Sequence, residues 1–130
     1  MNALFRRLGV AALISVPLMI SLAGCIGGKD VRVRVIFAAP PTSPPIENVT
    51  VFVGASKSWG ASVAPSDPVS VVLSPKGEIP EVSMTHSMGA APRDWRGPTL
   101  DPKAGYEVAI TIAPDGTARD THCMRPCTLR

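Results

Sequence analysis

The stretch that decides the fold is YEVAITI, residues 106–112. Tyr106, Val108, Ile110 and Ile112 fall on one face, with Glu107, Ala109 and Thr111 on the other. A period of two, rich in β-branched side chains, is the pattern of a half-buried β-strand. Pro114-Asp115-Gly116 follows it, a turn-forming triplet. Residues 117–122 should therefore return as a weaker hairpin partner.

The same period recurs upstream. Residues 30–37, DVRVRVIF, alternate Val31, Val33 and Val35 with Arg32 and Arg34. NVTVFVG (48–54), VSVVL (69–73) and EVSMTHSM (81–88) read as further short strands. The segments between them are punctuated by breakers. AAPPTSPP (38–45) reads as a stiff proline-rich connector, although such a strip could also dock a partner. Residues 55–67 form a Ser/Ala/Gly-rich loop whose Trp59 is expected to plug the core, the alternative being an exposed contact. Pro75 to Glu78 is expected to turn. Residues 89–102 read as a long loop, because Pro92, Gly97, Pro98 and Pro102 interrupt it and Trp95 sits among them.

Composition agrees. Fourteen Pro and 11 Gly in 130 residues disfavour long helices, and an aromatic share of 5% leaves the core to Val, Ile, Leu and Ala. Five or six short strands with frequent turns predict an all-β domain over residues 30–130, a small antiparallel β-sandwich. LDPKAGYEVAIT is similar to the loop and tyrosine-bearing strand found late in immunoglobulin-like domains, so an immunoglobulin-like sandwich is expected. The Cys…Trp…Cys pattern of antibody domains is absent.

The first 25 residues carry a separate message. Arg6 and Arg7 precede an apolar run from Leu8 to Leu22, interrupted by Pro17. The run is shorter than the ~20 residues a spanning helix needs and matches the apolar core of an export signal. It ends in Leu22-Ala23-Gly24-Cys25, which resembles the lipobox of bacterial lipoproteins. That resemblance implies a signal peptide over 1–24, cleavage before Cys25, and acylation of Cys25 as the first residue of the mature chain, with 25–29 as a lipidated tether. Two or three acyl chains, at ~0.8 kcal/mol per buried methylene, anchor stably where one does not. Ile26 stands where retained lipoproteins usually carry Asp. The resemblance therefore implies the periplasmic face of the outer membrane.

In that oxidising compartment, the two cysteines left after Cys25, namely Cys123 and Cys127, are expected to pair. Their C-x3-C spacing is not the C-x2-C of thioredoxin-like proteins. Charge excludes a further class. The formal +3 includes Arg6 and Arg7, and the chain from Cys25 onward carries 11 basic and 10 acidic residues. No basic stripe accompanies them, so no nucleic-acid partner is expected.

No nucleophile elbow, zinc-protease signature or phosphate-cradling loop occurs, and an enzyme is not expected. The soft donors do cluster. Met84, His86 and Met88 recur every second residue, so on a strand they share a face. Thioether with imidazole suits Cu(I). The stretch loosely resembles periplasmic copper handlers, which are often small β-sandwiches. Equally, Val82, Met84 and Met88 make an ordinary core face, in which only the imidazole is awkward. A second cluster, His122-Cys123-Met124 with Cys127, could bind copper only if reduced.

These readings converge on a lipid-anchored periplasmic module that contacts an envelope protein without catalysis. A copper-binding protein using Met84, His86 and Met88 is the alternative.

Overall fold

The computed structural model describes residues 29–75 and 79–129. The expected signal peptide, Cys25, most of the expected tether, and positions 76–78 of the expected turn lie outside the described residues.

Among the described residues nine strands form: β1 (Val31–Phe37), β2 (Ile46–Val53), β3 (Ser56–Lys57), β4 (Ala61–Val63), β5 (Val69–Leu73), β6 (Glu81–Met88), β7 (Ala91–Thr99), β8 (Tyr106–Ile112) and β9 (Ala118–Met124). They make two sheets. One has the order β5-β1-β8-β9, the other β3-β2-β6-β7 with β4 also on β2. The expected all-β sandwich is the fold. It is not wholly antiparallel: β1 lies parallel to β8, Val31 opposite Tyr106 and Phe37 opposite Ile112.

Alternation sets the core. Val31, Val33, Val35 and Phe37 of β1 and Tyr106, Val108, Ile110 and Ile112 of β8 point inward from one sheet. Ile46, Val49, Val51 and Val53 of β2, with Val63, Val82 and Met84, meet them from the other. Each fully buried Val or Ile contributes roughly 1.5–3 kcal/mol. The period breaks once, at Glu47-Asn48. Asn48 takes φ +55° and the pairing of β2 with β4 and β6 shifts there. That bulge supplies an extra exposed residue, so Ile46 and Val49 both face inward. Asn tolerates the left-handed conformation better than most residues.

Tyr106 makes a contact of its own at the start of β8. Its hydroxyl accepts a 3.1 Å hydrogen bond from the backbone N–H of Asp101, five residues upstream, as in a tyrosine corner.

Three expectations are corrected. Residues 91–99 are a strand, β7, rather than part of a loop; it is an edge strand, where Pro92 and Pro98 cost few ladder bonds. Residues 55–67 are not simply a loop, since β3 and β4 lie within them and Val63 is fully buried. Trp59 is not a plug: it is 91% exposed, and Val63 fills the core position instead.

The strands give the sandwich two poles. The tether pole holds the start of β1, the end of β5, Leu100 and the end of β9. The far pole holds the end of β1, the start of β2, the end of β6 and the β8–β9 hairpin. Seven strand residues separate them along β1, about 20 Å.

Candidate functional site

The far pole carries a largely apolar groove of about 460 Å³. One wall is the proline-rich connector, through Ser43, Pro44 and Pro45; the opposite side is Met88 and Pro114, and Phe37 and Ile46 line it too. Glu47, pushed outward by the bulge, is its charged member. The connector links β1 to β2, as its sequence suggested, and also walls this groove. Proline-fixed backbone loses little entropy on binding, which suits a contact surface.

Beside the groove the hairpin Pro114-Asp115-Gly116 closes the pole. Gly116 donates to the Ala113 carbonyl at 2.9 Å, and Ala113 donates to the Thr117 carbonyl at 2.8 Å. The Asp115 carboxylate accepts both the backbone N–H (3.0 Å) and the hydroxyl (2.7 Å) of Thr117. Those bonds, the hydroxyl's first, hold its pKa below the ordinary carboxylate value. Gly116 has φ +89° and is buried beneath Arg93, and a Cβ there would lie 3.1 Å from the Arg93 Nε.

Met84, His86 and Met88 do share the inward face of β6, as the spacing implied. Met84 is fully buried and packs in the core, and Met88 is half-buried at the groove. His86 lies between them, 2% exposed, and neither ring nitrogen has a hydrogen-bond partner. The Gly116 backbone lies near the ring without a bond of normal geometry to either nitrogen. Burial pushes the imidazole pKa below 6.5 against the Gly116 backbone, which favours the charged ring; the Arg93 cation lowers it further and Asp94 opposes it. The neutral ring is therefore the native form, the form that can ligate a metal. The donor set is soft and suits Cu(I). Residues four apart on a strand are separated by about 13 Å, so His86 with one neighbouring Met is the compact pair and all three are a stretch.

The second soft cluster is elsewhere. His122, Cys123 and Met124 sit on β9, in the other sheet. Cys123 and Cys127 form a disulfide, which leaves no thiolate there. His122 Nδ1 lies 2.8 Å from Asp120 Oδ2 on the same exposed strand. Among the described residues no group of three His, Cys, Asp or Glu side chains is placed to hold a metal.

The disulfide loop instead braces the tether pole. Within it, Arg125 donates from its backbone to the Gly105 carbonyl (2.9 Å) and from Nη2 to the Asp30 carbonyl. The guanidinium also pairs with Glu107 at 3.9 Å, and Glu107 meets Arg32 at 3.8 Å. Ser74 donates to the Asp30 carboxylate at 2.7 Å. The residue before β1 is thus held from β5's side and from the C-terminal loop together.

Sequence reasoning missed the groove, because its walls come from three segments far apart in the chain, 37–47, 88–89 and Pro114. It also missed Arg93 over Gly116, because Pro92 and Gly97 hid the alternation of β7. An exposed Arg-Asp pair beside a buried histidine was the available signal.

No family model matches this chain, and no curated protein does. A solved structure, described as the NMR structure of the protein from Eubacterium rectale, aligns at 12% identity with a TM-score of 0.43, over 73% of this chain and 89% of that one. A likeness of that size assigns no family and no function.

Proposed function

We propose that this chain is a lipoprotein of the cell envelope, anchored through Cys25 to the periplasmic face of the outer membrane, whose β-sandwich acts as a non-enzymatic interaction, accessory or structural module. One observation carries the reading: the body begins on β1 at Val31, six positions after the lipobox cysteine. At about 3.5 Å per residue, the intervening chain reaches no more than roughly 20 Å. Acylation at Cys25 would keep the tether pole at the bilayer and turn the far-pole groove toward the periplasm.

The test is mass spectrometry of the protein from its own cell, with membrane fractionation of a Cys25→Ser variant. A mature N-terminus at an acylated Cys25, and release of the variant from the membrane fraction, are expected. An intact Met1 or an unmodified Cys25 thiol would end the proposal.

A second reading has its own support in the unpartnered, buried His86 between two thioethers. Here the chain binds Cu(I) through His86 with Met84 or Met88. Cu(I) titration against a competing chelator tests it: sub-picomolar affinity lost in the Met84→Ala/His86→Ala double variant would favour it, and no binding would exclude it.

A further inference from the structure

A sandwich sheet ends in edges, and each free edge invites pairing with another chain. Three of the edges are protected. β7 contains Pro92 and Pro98 with Arg93, Asp94 and Arg96. β9 carries Arg119, Asp120 and His122. β3 and β4 are two and three residues long. β5 differs: it is Val69-Ser-Val-Val-Leu73, without a charge or a proline, and among the described residues its only strand partner is β1.

The direction of its backbone groups follows from two bonds. The Asp30 carbonyl accepts from Tyr106, and the Ala38 N–H donates to Ile112. Even-numbered residues of β1 therefore face β8, and Val31, Val33 and Val35 face β5. Their opposites are Leu73, Val71 and Val69. Ser70 and Val72 are left with their N–H and C=O groups directed away from the sheet. The next even residue fits the pattern, since the Ser74 carbonyl faces out and accepts from the Ser56 hydroxyl.

One exposed side chain lies one strand in from this edge, and another lies between the edge strands of the other sheet. Trp59, 91% exposed, lies in the loop between β3 and β4, which form the neighbouring edge of the other sheet. Exposed tryptophan is the side chain most enriched where interfaces gain their affinity. On the outer face, Arg34 stands opposite Ser70, exposed and without an ion pair among the described residues.

We infer that the outer edge of β5, with Arg34 one strand in and Trp59 on the neighbouring edge of the other sheet, is a strand-addition site that takes an extended, β-branched segment of a partner protein carrying carboxylates on its outward face. The unpaired ladder selects an extended chain, and the half-buried inner face of β5, Val69, Val71 and Leu73, selects apolar side chains on the face turned to the core. Arg34 selects acidic ones. A second copy fits less well. Antiparallel pairing of β5 with its twin would point the two tether poles in opposite directions, which two chains anchored in one bilayer by short tethers do not allow. That exclusion rests on the anchorage proposed above; the strand site does not.

The full-length chain, purified in detergent, is mixed with a fluorescent, end-capped Val-Glu-Val-Glu-Val-Glu-Val peptide and with its Lys counterpart, and binding is followed by anisotropy. The Glu peptide is expected to bind and the Lys peptide to bind more weakly, with Arg34→Glu reversing the order. Methylating alternate peptide nitrogens is expected to abolish binding in one phase and spare it in the other, because only one edge of the peptide pairs. Val72→Pro and Ser70→Pro remove outward donors while leaving the bonds to β1, and each is expected to weaken binding by about tenfold or more.

Binding of neither peptide, equal binding of both methylation phases, or full binding by a folded proline variant would overturn the site. Self-association of the wild-type chain that disappears in Val72→Pro would overturn the partner and install a second copy. The methylation comparison uses the wild-type chain alone, so it decides the matter even where a proline variant misfolds. Mass spectrometry of Cys25 judges the anchor separately.

Discussion

Replacing His86 by Leu should make the protein more stable. The imidazole is 2% exposed and neither nitrogen is hydrogen-bonded. A neutral ring has one donor and one acceptor, and each, left unpaired in the interior, costs about 1–3 kcal/mol. Leu has a similar volume and no polar atom, while imperfect fit costs up to about 1.5 kcal/mol. Two groups at that cost, less the misfit, leave His86→Leu at pH 7.5 a net gain of about 0.5–6 kcal/mol, at least about 2–4 °C in Tm for a domain of this size.

The pH dependence adds a second signature. The folded-state pKa of His86 lies below 6.5, chiefly through burial. As pH falls through 6.5, the unfolded chain takes up a proton that the native state resists, and wild-type stability declines. His86→Leu lacks that loss, so its advantage should widen between pH 7 and pH 5. Thermal and denaturant unfolding of both proteins across that range, with and without a Cu(I) chelator, measures this. A destabilised His86→Leu at pH 7.5 would refute the reasoning, since it would mean the ring has a partner. If the chelator alone lowered the wild-type Tm, that partner would be a metal ion.

Tyr106→Phe removes the acceptor for the Asp101 N–H and should cost about 0.5–1.5 kcal/mol by urea denaturation, with the fold retained. Reducing Cys123–Cys127 opens a loop with a sequence separation of only four, worth about 2 kcal/mol in the chain-entropy model. Melting with and without reductant should show a shifted but still cooperative transition, because the core lies elsewhere. Gly116→Ala places a methyl group at φ +89° under Arg93 and should lower stability by about 1–3 kcal/mol, read by the same melts.

Much of the fold was legible because apolar side chains alternate on β1, β2, β6 and β8, where one face is buried and the other wet. Alternation is a local signal, however, and it does not name the neighbour. Nothing in DVRVRVIF says that it pairs in parallel with YEVAITI, because that contact spans 75 positions between Val31 and Tyr106. β7 was obscured by Pro92 and Pro98, whose exclusion from strands holds for central strands and lapses at an edge. Trp59 misled for the opposite reason: size alone suggested burial, but the short β4 brings Val63 into the core and leaves the indole outside. At the candidate site, the shared face of Met84, His86 and Met88 was readable from spacing. The isolation of the His86 nitrogens depends on the hairpin folding over them from the other sheet and was not.

The placement of β1 has a mechanical consequence. It is an inner strand, bonded to β5 on one side and β8 on the other, and its leading end is the end nearest Cys25. Tension transmitted through Lys29 would run along the strand, so both ladders would be loaded in shear and would have to give way together. Peeling β9 from its open edge would break bonds one at a time. In a single-molecule pulling experiment, traction on Lys29 against the far pole should therefore yield at the higher force.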